Sequence, residues 1–253
     1  MRLFSIEHVA AIAATVVGAV LATLAGRRWA GGVANFTRGP RVIRHIPSGR
    51  QVGEGRGVLA LARALALLIL AGFVTEQVTY AVRGTWNARV NLPLQLSDAA
   101  TLVAITALWR PRTGVLTELL YFWAFTALLQ ATLTPDLGYG APDVLYFTYF
   151  ATHSGAIVGA CLLVFGLRLL PRPWAVWRAF GLTAAFAALA AVGCLTTGGN
   201  YMFLRDKPSN GSILDPLGPW PWYVLGAAAL ALAMLLVLEA IARALRRAGR
   251  EPA

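Results

Sequence analysis

The chain alternates apolar stretches of about 20 residues with loops rich in arginine, glycine and proline, and about 20 apolar residues is the length a helix needs to cross a hydrocarbon core. Seven stretches meet or approach it, at about 5–25, 58–80, 92–109, 115–133, 144–169, 175–195 and 220–242. Strands alone cannot satisfy their backbone groups in lipid, and a barrel would show short segments of alternating polarity. The sequence therefore predicts an all-α membrane protein, a seven-transmembrane-helix bundle that forms one polytopic domain over 1–253. Its third span is the shortest and opens on polar residues. Only 13% of the residues are charged, against about 25% in a soluble domain.

Arginine placement sets the expected orientation. Arg27, Arg28, Arg38, Arg41, Arg44, Arg50 and Arg56 crowd the loop over 26–57, and Arg110, Arg112, Arg168, Arg172 and Arg178 fall on the same side, as do Arg243, Arg246, Arg247 and Arg250. Arg2, Arg83, Arg89, Arg205 and Lys207 fall opposite. Positively charged loops stay in the cytoplasm, so the N-terminus is expected outside and the C-terminus inside. A cleaved signal peptide at span 1 would export the most arginine-rich loop, so span 1 is expected to remain as a helix.

Polar residues within or beside the spans collect at the outer level. Glu7 and His8 open span 1, Glu76 ends span 2, and Asn91, Gln95, Ser97 and Asp98 open span 3. His153 lies in the outer half of span 5, and Asn200 follows span 6 with Tyr201 beside it. Ionisable groups at membrane depth cost a few kcal/mol each and favour a bundle interior or a wet cavity. One outward-opening pocket accounts for the coincidence. Helical spacing would put Asn91, Gln95 and Asp98 on one face, with Ser97 roughly 8 Å along its helix and His153 roughly 13 Å along span 5. Near the inner ends stand Glu118 and Glu239, each with an arginine in reach.

Other chemistries are excluded. Lys207 is in a loop, so no helix carries a retinal Schiff base. Cys161, Cys194 and the three histidines form no spaced ligand motif, so no metal or other cofactor is expected. The net charge of +11 suits anionic lipid headgroups at the basic loop rather than nucleic acid. The loop over 196–219 is long and carries glycine and proline, and Trp220, Trp222 and Tyr223 after it suit the membrane interface. It is expected to form an outer lid.

FSIEH near the start, LPLQLSDAA in span 3, ATHSG in span 5 and the run from NYMFL to GPWPWY before span 7 resemble the YwaF-type integral membrane proteins. These are related to the transmembrane protein 164 acyltransferases, and the resemblance covers nearly the whole chain. It implies transfer of acyl chains between membrane phospholipids, with a cysteine nucleophile at the position of Ser97 and a histidine partner at His153. It also implies an integral protein of a bacterial plasma membrane. Relatives often read LPLHLC where this chain has LPLQLS, so Gln95 replaces a histidine and Ser97 a cysteine. Serine needs a base to take its proton, a role open to His153. Gln95 or Asn200 is then a candidate oxyanion donor, and Asp98 or Glu76 a candidate orienting group for the imidazole. The expected function is a phospholipid acyltransferase or acyl hydrolase; the alternative is a non-catalytic lipid-binding protein or transporter.

Overall fold

A computed structural model describes residues 4–37, 49–208 and 212–248. Arg38, Arg41 and Arg44 of the expected basic loop, and Arg2 and Arg250, lie outside the described residues. The described chain is helical without strands: α1 (Ile6–Thr37), α2 (Gly49–Val82), α3 (Leu96–Trp109), α4 (Val115–Leu133), α5 (Val144–Gly166), α6 (Ala175–Thr197) and α7 (Trp222–Ala248). Helix α4 passes through a π-helical segment at Ala124–Leu128, and α5 ends in another at Cys161–Gly166.

Six of these helices are long and apolar enough to cross a membrane. The exception is α3, with 14 residues, which at 1.5 Å per residue covers about 21 Å of a core of roughly 30 Å. Its late start has a local cause. Pro93 has no N–H to donate, and the Asp98 carboxylate accepts from the Gln95 N–H at 3.1 Å, one arm of a capping box. Gln95 is therefore the extended N-cap residue. The face expected to unite Asn91, Gln95 and Asp98 does not form, because Asn91 and Gln95 precede the helix.

Helix α5 is the packing centre, and its glycines explain why. A Cβ on Gly155 would stand 2.8 Å from Ile69 of α2, and one on Gly159 would stand 2.8 Å from Leu108 of α3. At Gly166 the backbone of α5 meets Gly26 of α1 so closely that a Cβ on Gly26 would lie 2.7 Å from the Gly166 Cα. Small residues allow such contact where lipid removes the hydrophobic drive between helices. The opposite faces of α1 and α7 present Val16, Val17, Val20, Val237 and Ile241 outward. Long apolar helices with apolar outer faces make this an integral membrane protein.

Arginines gather at one end and are tied into the fold. Glu118 of α4 is 2% exposed and is held by both Arg172, at 2.6 Å, and Arg178, at 2.9 Å. Arg246 of α7 bonds Glu239 at 2.9 Å, and Arg27 of α1 donates to the Phe165 carbonyl at 3.3 Å. Glu118 and Glu239 thus have the arginine partners expected for them.

The contact between Gly26 and Gly166 predicts that Gly26→Ala lowers stability in detergent by about 1–3 kcal/mol, the usual cost of overpacking. Gly181→Ala on α6, where a Cβ meets nothing within 4 Å, should leave thermal unfolding unchanged or slightly raised. Equal melting temperatures for the two variants would contradict the packing.

Candidate functional site

The expected polar residues lie at the end opposite the arginine ties, and most of them hold the helix ends together. His8 is fully buried; its Nδ1 accepts from the Phe4 N–H at 3.0 Å, so Nε2 carries the proton and donates to the Thr132 carbonyl at 2.9 Å. Glu7 accepts from the Ala141 N–H at 3.3 Å, and its own carbonyl accepts from the Tyr146 hydroxyl at 2.7 Å. Arg83 of α2 pairs with Asp143 at the start of α5 at 3.1 Å. The Leu145 N–H and this guanidinium hold the Asp143 carboxyl below the usual carboxylate range.

The segment after α6 is a folded cover beside the start of α3. Asn200 accepts from the Arg205 and Asp206 N–H groups, and its Nδ2 donates to the Asp206 carbonyl at 2.7 Å. Tyr201 is fully buried; its hydroxyl donates to the Ala88 carbonyl and accepts from the Leu92 N–H at 3.2 Å. Gln95 Oε1 accepts from the Met202 N–H at 2.8 Å, which fixes the amide orientation and leaves Nε2 unpaired among the described residues. Gly199 permits all of this, since a Cβ there would lie 2.3 Å from the Arg89 carbonyl oxygen.

Three expected site residues are not consumed by such ties. Among the described residues the hydroxyl of Ser97, Nε2 of His153 and the carboxylate of Glu76 have no hydrogen-bond partner. Ser97 is half-buried in the first turn of α3, and His153 is 8% exposed on α5. The His153 Nδ1 lies 2.9 Å from the Tyr149 carbonyl, an oxygen that can only accept, so Nδ1 carries the proton and Nε2 the lone pair. The Tyr149 ring stacks on the imidazole at 4.0 Å between centroids. The imidazole is thus oriented by a backbone carbonyl; neither Asp98 nor Glu76 bonds it. Glu76 lies in electrostatic range of both Asp98 and the Tyr149 hydroxyl, so α2, α3 and α5 converge on one polar locus. Tyr149 was absent from the expected residues, and its only signal is an aromatic ring one helical turn before the histidine.

No direct hydrogen bond joins Ser97 to His153. Leu108 against Gly159 sets the register of the parallel helices α3 and α5, and counting back from it places Ser97 level with Thr148. His153 is five residues deeper, about 7.5 Å along the axis. Its Cα–Cβ bond tilts toward the helix N-terminus, back toward the level of Ser97. The apolar groove of ≈ 320 Å³ between α1, α2 and α5 is lined by Thr15 and Ser154, and by neither Ser97 nor His153.

The close approach at Gly199 predicts that Gly199→Ala dislodges the cover. Limited proteolysis should then cut within 204–219 faster than in the parent chain; unchanged cleavage would show that the contact does not hold the segment down.

A family model described as the TMEM164 family matches residues 3–239. No curated protein and no solved structure matches the chain. With the match running from before α1 into α7, and so through every helix that contributes to the polar locus, the chain belongs to the TMEM164 family.

Proposed function

We propose that this protein moves or releases phospholipid acyl chains, with Ser97 as nucleophile and His153 as base. The observation that carries the reading is the state of His153: a carbonyl holds its Nδ1 proton, so Nε2 keeps an unpartnered lone pair in a buried position beside the helix that carries a free serine hydroxyl. In this reading Ser97 Oγ attacks the ester carbonyl carbon while its proton passes to Nε2. The unpaired Gln95 Nε2 donates to the oxyanion. The ester C–O bond breaks, and the leaving lysolipid oxygen takes the proton back from His153. A second lysolipid hydroxyl, or water, then gives its proton to Nε2 as its oxygen attacks the acyl-serine carbonyl carbon; the acyl–Oγ bond breaks and Ser97 Oγ takes the proton back, giving transfer or hydrolysis. Neither a metal nor another cofactor enters the step.

The absence of a direct Ser97–His153 bond favours a second reading, a protein that binds or moves lipid without turning it over. Purified protein given phospholipid distinguishes the two. Acyl transfer predicts a mass increment of one acyl chain on Ser97, lost in Ser97→Ala and slowed about 100-fold or more in His153→Ala if the histidine is the general base. Ser97→Cys should retain or raise turnover, because a thiolate forms more readily. Turnover unaffected by Ser97→Ala would remove Ser97 from the mechanism, and turnover absent in every variant would favour the binding or transport reading.

The polar locus is proposed to face outward from a bacterial plasma membrane, with the arginine-rich end in the cytoplasm. A cysteine at Gly138 or Gly114 would meet no neighbour within 4 Å. In intact cells Gly138→Cys should react with an impermeant thiol reagent and Gly114→Cys should not; the reverse pattern would invert the topology.

A further inference from the structure

At the arginine-rich end, a cavity of ≈ 210 Å³ is lined by Pro173, Trp174, Glu239, Arg243, Arg246 and Arg247. Three guanidiniums face one carboxylate, and they are not equivalent. Arg246 is already engaged, by Glu239 at 2.9 Å and by the Pro171 carbonyl. Arg243 is only 4.0 Å from the same Glu239 oxygen, and its guanidinium lies over the Trp174 ring at 5.6 Å. Arg247 is exposed and has no partner among the described residues. Two of the three positive charges therefore remain for an occupant.

The cavity is also built to face lipid. Trp174 sits at φ 63, a backbone conformation few large residues adopt, and this holds its ring 63% exposed beside the cavity. Along α7 from the cavity, Leu236 and Leu225 share the helical face of Arg243 and Arg247 and are 44% and 62% exposed. Guanidiniums match the oxygens of a phosphate group bidentately, and an indole ring suits the level at which headgroups lie. A molecule with its phosphate between Arg243 and Arg247 would lay its apolar part along the outer face of α7.

We propose that this cavity binds the phosphate of an anionic phospholipid headgroup. The site is at the opposite end of the bundle from Ser97 and stands independently of acyl transfer. A free phosphate shares the headgroup chemistry but would leave the adjoining apolar face unused.

Native mass spectrometry of the intact protein released from neutral detergent tests the proposal, with phosphatidylglycerol, phosphatidylcholine and inorganic phosphate as probes. Phosphatidylglycerol should be retained in preference to phosphatidylcholine, and inorganic phosphate at equal concentration should not displace it. Arg243→Gln and Arg247→Gln should each weaken retention about five-fold, while Arg110→Gln, at the same end but outside the cavity, should leave it unchanged. Both cavity variants remove exposed side chains, and unchanged thermal unfolding would verify that they fold. Arg246 is left in place because its loss would strand Glu239. Equal retention of the two lipids, an equal loss in Arg110→Gln, or no loss in either cavity variant would overturn the site. Displacement by inorganic phosphate would overturn the lipid assignment.

Discussion

The arrangement of this protein depends on how closely α5 lets its neighbours approach. Gly155, Gly159 and Gly166 leave gaps on α5 that Ile69, Leu108 and the backbone at Gly26 fill from α2, α3 and α1. Helices in lipid gain little from burying apolar surface against one another, so dispersion at short range decides the packing. Such contacts fix register as well as proximity. Leu108 against Gly159 sets the height of α3, and through it the height of Ser97 relative to His153. A bulkier residue at Gly159 would therefore reach the candidate site through the backbone, without touching it.

The polar residues at the far end divide by what already holds them. His8, Glu7 and Tyr201 bind backbone groups on other segments and Asn200 binds those of its own loop, and each satisfies a group that lipid or a buried loop would otherwise leave unpaired. Such ties consume the donor or acceptor they use. What separates Ser97, His153 and Glu76 is the polar capacity they retain. An unpaired polar atom at depth costs about 1–3 kcal/mol, so retaining several together needs a reason, and a polar occupant is the economical one.

Much of the fold was legible in the sequence because hydropathy alone encodes it. Six long helices, the clustering of arginines at one end and the partners of Glu118 and Glu239 all follow from residue type and spacing. The start of α3 was not legible, since Leu92, Leu94 and Leu96 extend the apolar run while Pro93 and the Asp98 cap break it. A window average sees the leucines and misses the cap. His8 and His153 posed a different problem. Both are histidines at membrane depth, and only the three-dimensional placement of the Thr132 carbonyl makes one a tie while the other keeps a free nitrogen. Tyr149 was missed because its contribution to the imidazole is a backbone carbonyl and a stacked ring, neither of which a residue type announces.

The serine at position 97 makes the height difference between α3 and α5 matter more than a cysteine would. A thiol is partly ionised near neutral pH without help, whereas a serine hydroxyl needs its base in contact when attack occurs. An offset of about 7.5 Å along the axis is partly offset by the backward tilt of the His153 side chain, and the remainder falls to the first turn of α3. That turn is the more weakly packed part of the helix: Ser97 and Asp98 are half-buried, whereas Ala104, Ala107 and Leu108 are buried. Its position is set by the Asp98–Gln95 cap and by the bond from the Met202 N–H to Gln95. In unliganded sites catalytic hydrogen bonds are often long and tighten only around substrate. The cover after α6 is thus coupled to the first turn of α3 by Gln95 itself: the residue whose Oε1 anchors the cover also carries the amide proposed to meet the oxyanion, so an occupant that shifts Met202 would move Gln95 and Ser97 together.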